Sequence, residues 1–302
     1  MPDAAERDSA QLPTTGDDQL LAMTESNPGK GLRTPELIAS DIDGTLLNSD
    51  ERITRRTRAA VTAAVAAGVT FVLATGRPPR WIAPVVDELG FAPLAVCANG
   101  AVLYDSAADR IISAQTLPTD LLAQMAEIAV EVLPGAGLAV ERVGEHAHDT
   151  ATPHFLSAPG YQHAWLNPDN TEVSYADLIS APAIKLLVSM PGVASAELAG
   201  AIGPKLSELG EITYSTDIGL IEISQLGISK ANGVAAVAGP LGVAPAAVVA
   251  FGDMPNDVPL LEWAGWSVAM ANAHPDARAA ADEVTVSNND DGVGRVLERW
   301  WR

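Results

Sequence analysis

Four short runs with almost no polar residue punctuate the chain: ELIASD (36–41), VTFVLA (69–74), LAVCA (94–98) and AAVVAFGD (246–253). Runs of this length without apolar/polar alternation fit strands buried on both faces. Alternating with helices, such strands are the sequence sign of a parallel sheet covered on both faces. TRRTRAAVTAAVAAG supplies one covering helix. Its Ala60, Val61, Ala64 and Val65 recur at helical spacing, Thr54 suits the N-cap, and Gly68 suits the stop. Further helices are expected over 79–89 and 230–238, and further strands at WSVAMA (266–271) and EVTVS (283–287). The pattern predicts an α/β fold, a Rossmann-like doubly wound parallel sheet.

The middle of the chain breaks this rhythm. Between about 116 and 223, helical stretches (118–133 and 194–209) mix with the strands AIKLLVSM (183–190), EITYST (211–216) and LIEIS (220–224). The segment 142–182 carries His146, His148, His154, His163 and Trp165 but no legible motif. These features predict an inserted α+β cap domain over 116–223, with the core formed by 35–115 and 224–302. Residues 1–34 are polar and aperiodic and read as a disordered tail. There is no internal repeat.

Charge and cysteine content narrow the function classes. A net charge of −20 argues against a nucleic-acid partner and against an anionic membrane surface, since both need basic patches. The one uncharged stretch of membrane-like length, 233–252, is broken by Pro240 and Pro245, and the first residues lack the layout of a signal peptide. Cys97 is the single cysteine, so neither an internal disulfide nor a cysteine zinc site can form. It reads as a small buried hydrophobe, and a cytoplasmic setting is expected. Oligomeric state leaves no trace in the sequence.

Four stretches carry chemistry, each at a strand end or a helix start, where ligands of open parallel sheets bind. DIDGT (41–45) places Asp41 and Asp43 two residues apart in an apolar run. In an extended chain both face one side, and such a pair calls for a cation or a shared proton. LATGRP (73–78) offers the Thr75 hydroxyl and backbone N–H groups to an anion, with Arg77 nearby as a phosphate contact or as the partner of a core carboxylate. In LGISKANG (226–233), Lys230 opens a helix, where its charge opposes the helix dipole unless an anion is close. FGDMPND (251–257) supplies Asp253, Asn256 and Asp257, oxygen donors suited to a hard cation.

Taken together and in this order, DIDGTL, LATGR, SK at a helix start and GDMPND resemble the four motifs of the haloacid dehalogenase superfamily of phosphohydrolases. The long insertion resembles the C2 cap of its Cof-type branch, and CANGA (97–101) is similar to that branch's strand before the cap. The resemblance covers about residues 36–298. Ala231 stands where relatives often carry Gly after the lysine.

The resemblance implies a Mg²⁺-dependent phosphatase acting on a small phosphate ester, a sugar phosphate or a nucleotide-derived phosphate. It implies Asp41 as nucleophile forming an aspartyl-phosphate, and Asp43 as the acid and base, with Asp43 the carboxyl whose pKa is raised and Asp41 ionised. Mg²⁺ would be held by Asp41, the Asp43 carbonyl and Asp253, with Asp257 supporting from behind. Thr75, Lys230 and Asn256 would bind the phosphoryl oxygens. A phosphomutase returning the phosphoryl group to a bound sugar is the alternative enzyme, and a non-catalytic phospho-ligand binder the alternative class. The cap histidines are expected to be solvent-exposed, and one of Trp300 and Trp301 to pack on the core.

Overall fold

The structure, a computed structural model, describes residues 33–163 and 167–301. Nearly all of the tail read over 1–34, and Trp165, therefore lie outside the described residues. Eight strands form the larger sheet: β1 (Leu37–Ser40), β2 (Thr70–Ala74), β3 (Leu94–Cys97), β4 (Val102–Asp105), β5 (Arg110–Ala114), β12 (Val248–Gly252), β13 (Trp266–Ala269) and β14 (Glu283–Val284). Their order is β14-β13-β12-β1-β2-β3-β4-β5. From β14 to β3 all pairings are parallel, and β4 and β5 close one edge as an antiparallel hairpin that the apolar pattern does not reveal.

The central strand is β1, flanked by β12 and β2 with Leu37 opposite both Val248 and Thr70. Leu37, Ile38, Leu73 and Phe251 are fully enclosed, which is why these strands read as uninterrupted apolar runs. Each such side chain contributes on the order of 1.5–3 kcal/mol relative to exposure. The helix Arg55–Ala66 starts where expected, with the Thr54 hydroxyl accepting the Thr57 N–H at 3.2 Å. The helix expected over 79–89 is divided into a tight turn at Pro79–Trp81 and a helix at Ala83–Leu89. Prolines at 79 and 84 each suit a first turn and not a helix interior. Cys97 is buried, and burial raises its thiol pKa. Trp301 packs into the core with Trp300 against it.

A second sheet has six strands in the order β10-β11-β9-β6-β7-β8. These are β6 (Gly137–Glu141), β7 (Phe155–Ser157), β8 (Asn170–Glu172), β9 (Lys185–Ser189), β10 (Gly210–Thr213) and β11 (Leu220–Gln225). The segment 142–182, featureless in sequence, thus contributes β7, β8 and the short helix Tyr175–Leu178. Alternation along the strands decides its two faces. Leu138, Val140, Leu186, Val188, Ile221 and Ile223 meet the helices Thr119–Val132 and Ser195–Leu206 in one apolar cluster. The intervening residues, among them Glu141, Lys185, Leu187 and Glu222, point the other way and line a cavity shared with the larger sheet.

Candidate active site

The central position of β1 brings three strand ends together. Asp41 follows β1, Thr75 follows β2 and Asp253 follows β12, so neighbouring strands deliver residues more than two hundred positions apart. Beyond Asp41 the chain turns at Gly44, whose φ is +73°. Glycine is required there for two reasons: the left-handed backbone, and the space. A Cβ would sit 2.3 Å from Asp253 Oδ2. The next residue, Thr45, donates its hydroxyl to Asp253 Oδ1 at 2.9 Å, which fixes that carboxylate against the turn.

Lys230 opens the helix Lys230–Ala238 and is fully enclosed. Its Nζ donates to Asp41 Oδ1 at 2.7 Å and to Asp257 Oδ1 at 2.6 Å. The anions that its helix-start position calls for are therefore Asp41 and Asp257. The other oxygen of Asp257 accepts the N–H groups of Asp253 and Met254, both at 3.0 Å. Asp257 is thus committed to holding its neighbours in place. Burial would lower the Lys230 pKa, but Asp257 and Asp41 outweigh it and hold its proton.

Electrostatics among the carboxylates differ from the sequence expectation. Burial pushes Asp41 well above the ordinary carboxylate range, reinforced by Asp257 and Asp253 and opposed by Lys230. Burial, with Asp257 beside it, pushes Asp253 up to about 7. Asp43, expected to be the raised carboxyl, instead has a side chain 59% exposed. Arg77 grips it with two bonds, Nη2 to Oδ1 at 2.6 Å and Nε to Oδ2 at 2.8 Å. The desolvated group of the pair is Asp41, because its side chain lies inside the sheet edge while the turn carries Asp43 outward. Of the two roles open to Arg77, the structure displays the ion pair.

Asp41, Asp253 and Asp257 each offer an oxygen, all within 4.8 Å of one another, and all three are buried. Lys230 pairs with Asp41 and Asp257, and Asp253 brings a third carboxyl group into the same buried site of oxygen donors. That is the environment a hard divalent cation such as Mg²⁺ fits. Since Asp257 is already engaged, Asp41 and Asp253 are the side chains with oxygens to offer it. None of His146, His148, His154 and His163 belongs to a metal-capable cluster among the described residues; His146, His148 and His163 are exposed, whereas His154, also expected to be exposed, is half-buried.

Asp41, Asp43, Thr75 and Asn256 line one cavity of about 540 Å³. Thr75 is buried, and its hydroxyl accepts the Arg77 N–H at 3.1 Å. The Asn256 amide donates to Asn99 Oδ1 at 3.0 Å. Facing these across the cavity is a set of buried charges that the motifs do not include. Arg80 donates to Glu141 at 2.5 Å and to Asp169 at 2.7 Å, and Lys185 pairs with Glu222. A signal for them exists in the sequence: Glu141, Lys185 and Glu222 are single charges in apolar strands, at positions whose neighbours along the strand face a core.

Comparison with known proteins agrees with this geometry. The model of the haloacid dehalogenase-like hydrolases matches residues 38–297. The chain is 30% identical over 278 residues to the 5-amino-6-(5-phospho-D-ribitylamino)uracil phosphatase YitU of Bacillus subtilis, covering 88% of this chain and 98% of that one. It is 27% identical over 273 residues to the pyridoxal phosphate phosphatase YbhA of Escherichia coli, with 87% and 98% covered. The solved structure of SMU.1108c from Streptococcus mutans superimposes with a TM-score of 0.74 at 23% identity, over 88% of this chain and 98% of that one. The chain belongs to the haloacid dehalogenase-like hydrolase family.

Proposed function

We propose that the protein is a Mg²⁺-dependent phosphatase that hydrolyses small phosphate monoesters through an aspartyl-phosphate on Asp41. The observation that carries this reading is the enclosed Lys230 ammonium held between Asp41 and Asp257, directly behind Asp41, which lines the cavity. It orients the Asp41 carboxylate and leaves its second oxygen to attack phosphorus. Asp41 and Asp253, with the Asp43 carbonyl, would hold Mg²⁺, which supplies charge neutralisation at the phosphoryl oxygens when bound. Thr75, Lys230 and Asn256 would donate to those oxygens as charge develops on them.

Asp43 would give a proton to the departing alkoxide and later take one from the attacking water. To do so it must leave Arg77, so the reading includes a rotation of its side chain. The six-stranded unit serves as a cap over the cavity and the eight-stranded unit as the core; the last strand of the cap, β11, runs to Gln225, past the boundary at 223 expected from the sequence. Trp81 and Phe155 line the cavity. Apolar rings beside buried charges suit a substrate that joins a ring to a polar chain, as in the esters named for YitU and YbhA. The test is phosphate release from a panel of phosphorylated ring compounds and sugar phosphates with Mg²⁺. Release from at least one member, abolished by a chelator and restored by Mg²⁺, is expected. Isomerisation without release would replace the reading with a mutase.

A further inference from the structure

The cavity's two halves are joined by a chain of hydrogen bonds whose polarity is determined from one end. Glu222, on the cap strand β11, faces the Lys185 ammonium with one oxygen and accepts the Asn99 amide N–H on the other at 2.6 Å. A carboxylate accepts only, so the NH₂ of Asn99 must point at Glu222 and its Oδ1 away. That Oδ1 in turn accepts from Asn256 Nδ2 at 3.0 Å, which fixes which end of the Asn256 amide lies on this side. Lys185 closes the circuit by donating to the carbonyl of Gly76 at 3.0 Å, next to Thr75. Glu222, Lys185, Asn99 and Asn256 are all buried, where hydrogen bonds meet little competition from bulk solvent.

The backbone commits itself to this arrangement. Ala98, Asn99 and Gly100 have φ of +49°, +57° and +110°, a run that L-residues adopt at a cost. Gly100 lies so close to Ser229 that a Cβ would be 2.1 Å from its carbonyl oxygen, and Ser229 caps the helix that Lys230 opens. The turn that presents Asn99 is therefore wedged between the cap sheet and the lysine helix.

We infer that Glu222 and Asn99 are positioning residues: the cap carboxylate, acting through Asn99, sets the amide polarity of Asn256 and so the N–H that Asn256 presents to a phosphoryl group. This rests on the reading of Asn256 as a phosphoryl contact. Glu222→Gln is nearly isosteric but can donate as well as accept. It lets the Asn99 and Asn256 amides turn over together, presenting an oxygen where the phosphoryl group needs a donor. The exchange variant, Asn99→Asp combined with Glu222→Gln, restores an acceptor-only group in the middle of the chain. The carboxylate then at position 99 accepts from the amide introduced at position 222 and from Asn256 Nδ2. The oxygen of that introduced amide still accepts from Lys185.

The experiment compares the full-length wild type, Glu222→Gln and the exchange variant. Inorganic phosphate binding is measured by calorimetry with Mg²⁺, beside turnover of para-nitrophenyl phosphate and thermal melting. The expected result is phosphate binding and kcat each about tenfold weaker in Glu222→Gln, the scale of one charge-assisted hydrogen bond, and both recovered to within about twofold in the exchange variant. Both variants lose the ion pair with Lys185, so a purely structural role would impair them equally. Equal impairment, or an unimpaired Glu222→Gln, overturns the inference. Asn99→Asp alone sets carboxylate against carboxylate; it is expected to be impaired and to be rescued when Glu222→Gln is added, a comparison that serves if Glu222→Gln alone does not fold. If the wild type binds phosphate without turning over any ester, the phosphatase reading falls and the binding comparison alone decides this inference. If the wild type binds no phosphate, both fall.

Discussion

At Lys230 the fold encloses an ammonium completely, between two carboxylates at 2.7 and 2.6 Å. A charge so placed is tolerated only because its partners are also in place. Lys230→Met is therefore expected to do two things. It leaves Asp41 and Asp257 buried without compensation, which costs about 3–5 kcal/mol of stability by urea unfolding, and it abolishes phosphate release. A variant with unchanged stability would mean that the carboxylates do not depend on the lysine. Asp41, Asp43, Thr75, Lys230, Asp253, Asn256 and Asp257 could be picked out in the sequence because DIDGT, LATGR, SK and GDMPND occur together and in order, and the fold brings the four stretches to one place. Their electrostatic ranking was not legible there. Which member of DID is desolvated depends on how Gly44 turns the chain and on where Arg77 reaches, and neither is written in the spacing.

Strands buried on both faces and helices with one apolar stripe were the easiest to read. The core strands and the helices Arg55–Ala66, Thr119–Val132 and Lys230–Ala238 follow from apolar runs and helical periodicity. The hairpin β4–β5, the strands β7 and β8 and the split at Pro79–Trp81 do not, since short edge strands and turns are set by tertiary partners. The cavity face of the six-stranded sheet belongs to neither group. Glu141 is enclosed there; burial pushes its carboxyl up to about 7, while Arg80 pulls it down. With a folded pKa above the unfolded value near 4.5, the folded state binds more protons between those two pH values. Stability is then expected to fall as pH rises from about 4.5 to about 7, and Glu141→Gln to flatten that dependence. Urea unfolding at intervals across this window checks it. A wild-type curve that rises with pH there, or one that Glu141→Gln leaves unchanged, contradicts the assignment.

At the scale of the whole molecule, a chain of net charge −20 must admit an anionic ester to a site that already holds three buried carboxylates. Lys230 and Arg77 supply local positive charge, but both are engaged by Asp41 and Asp43. The long-range field is therefore repulsive. Raising the ionic strength from about 0.01 to about 0.1 M shortens the screening length from roughly 30 to roughly 10 Å. We expect kcat/KM for a dianionic ester to rise over that range; a steady fall would mean that local cations dominate the approach.

The proposed phosphatase chemistry depends on attack at phosphorus by Asp41, held by Lys230 at the end of the central strand. Asp41→Asn keeps the size of the side chain and its contact with Lys230 while removing the nucleophilic carboxylate. The direct measurement is phosphate release with Mg²⁺ by the wild type and by this variant, on the best ester of the panel, with melting curves confirming that both are folded. Release by the wild type and none by the folded variant is the predicted result; release by Asp41→Asn at the wild-type rate would contradict it.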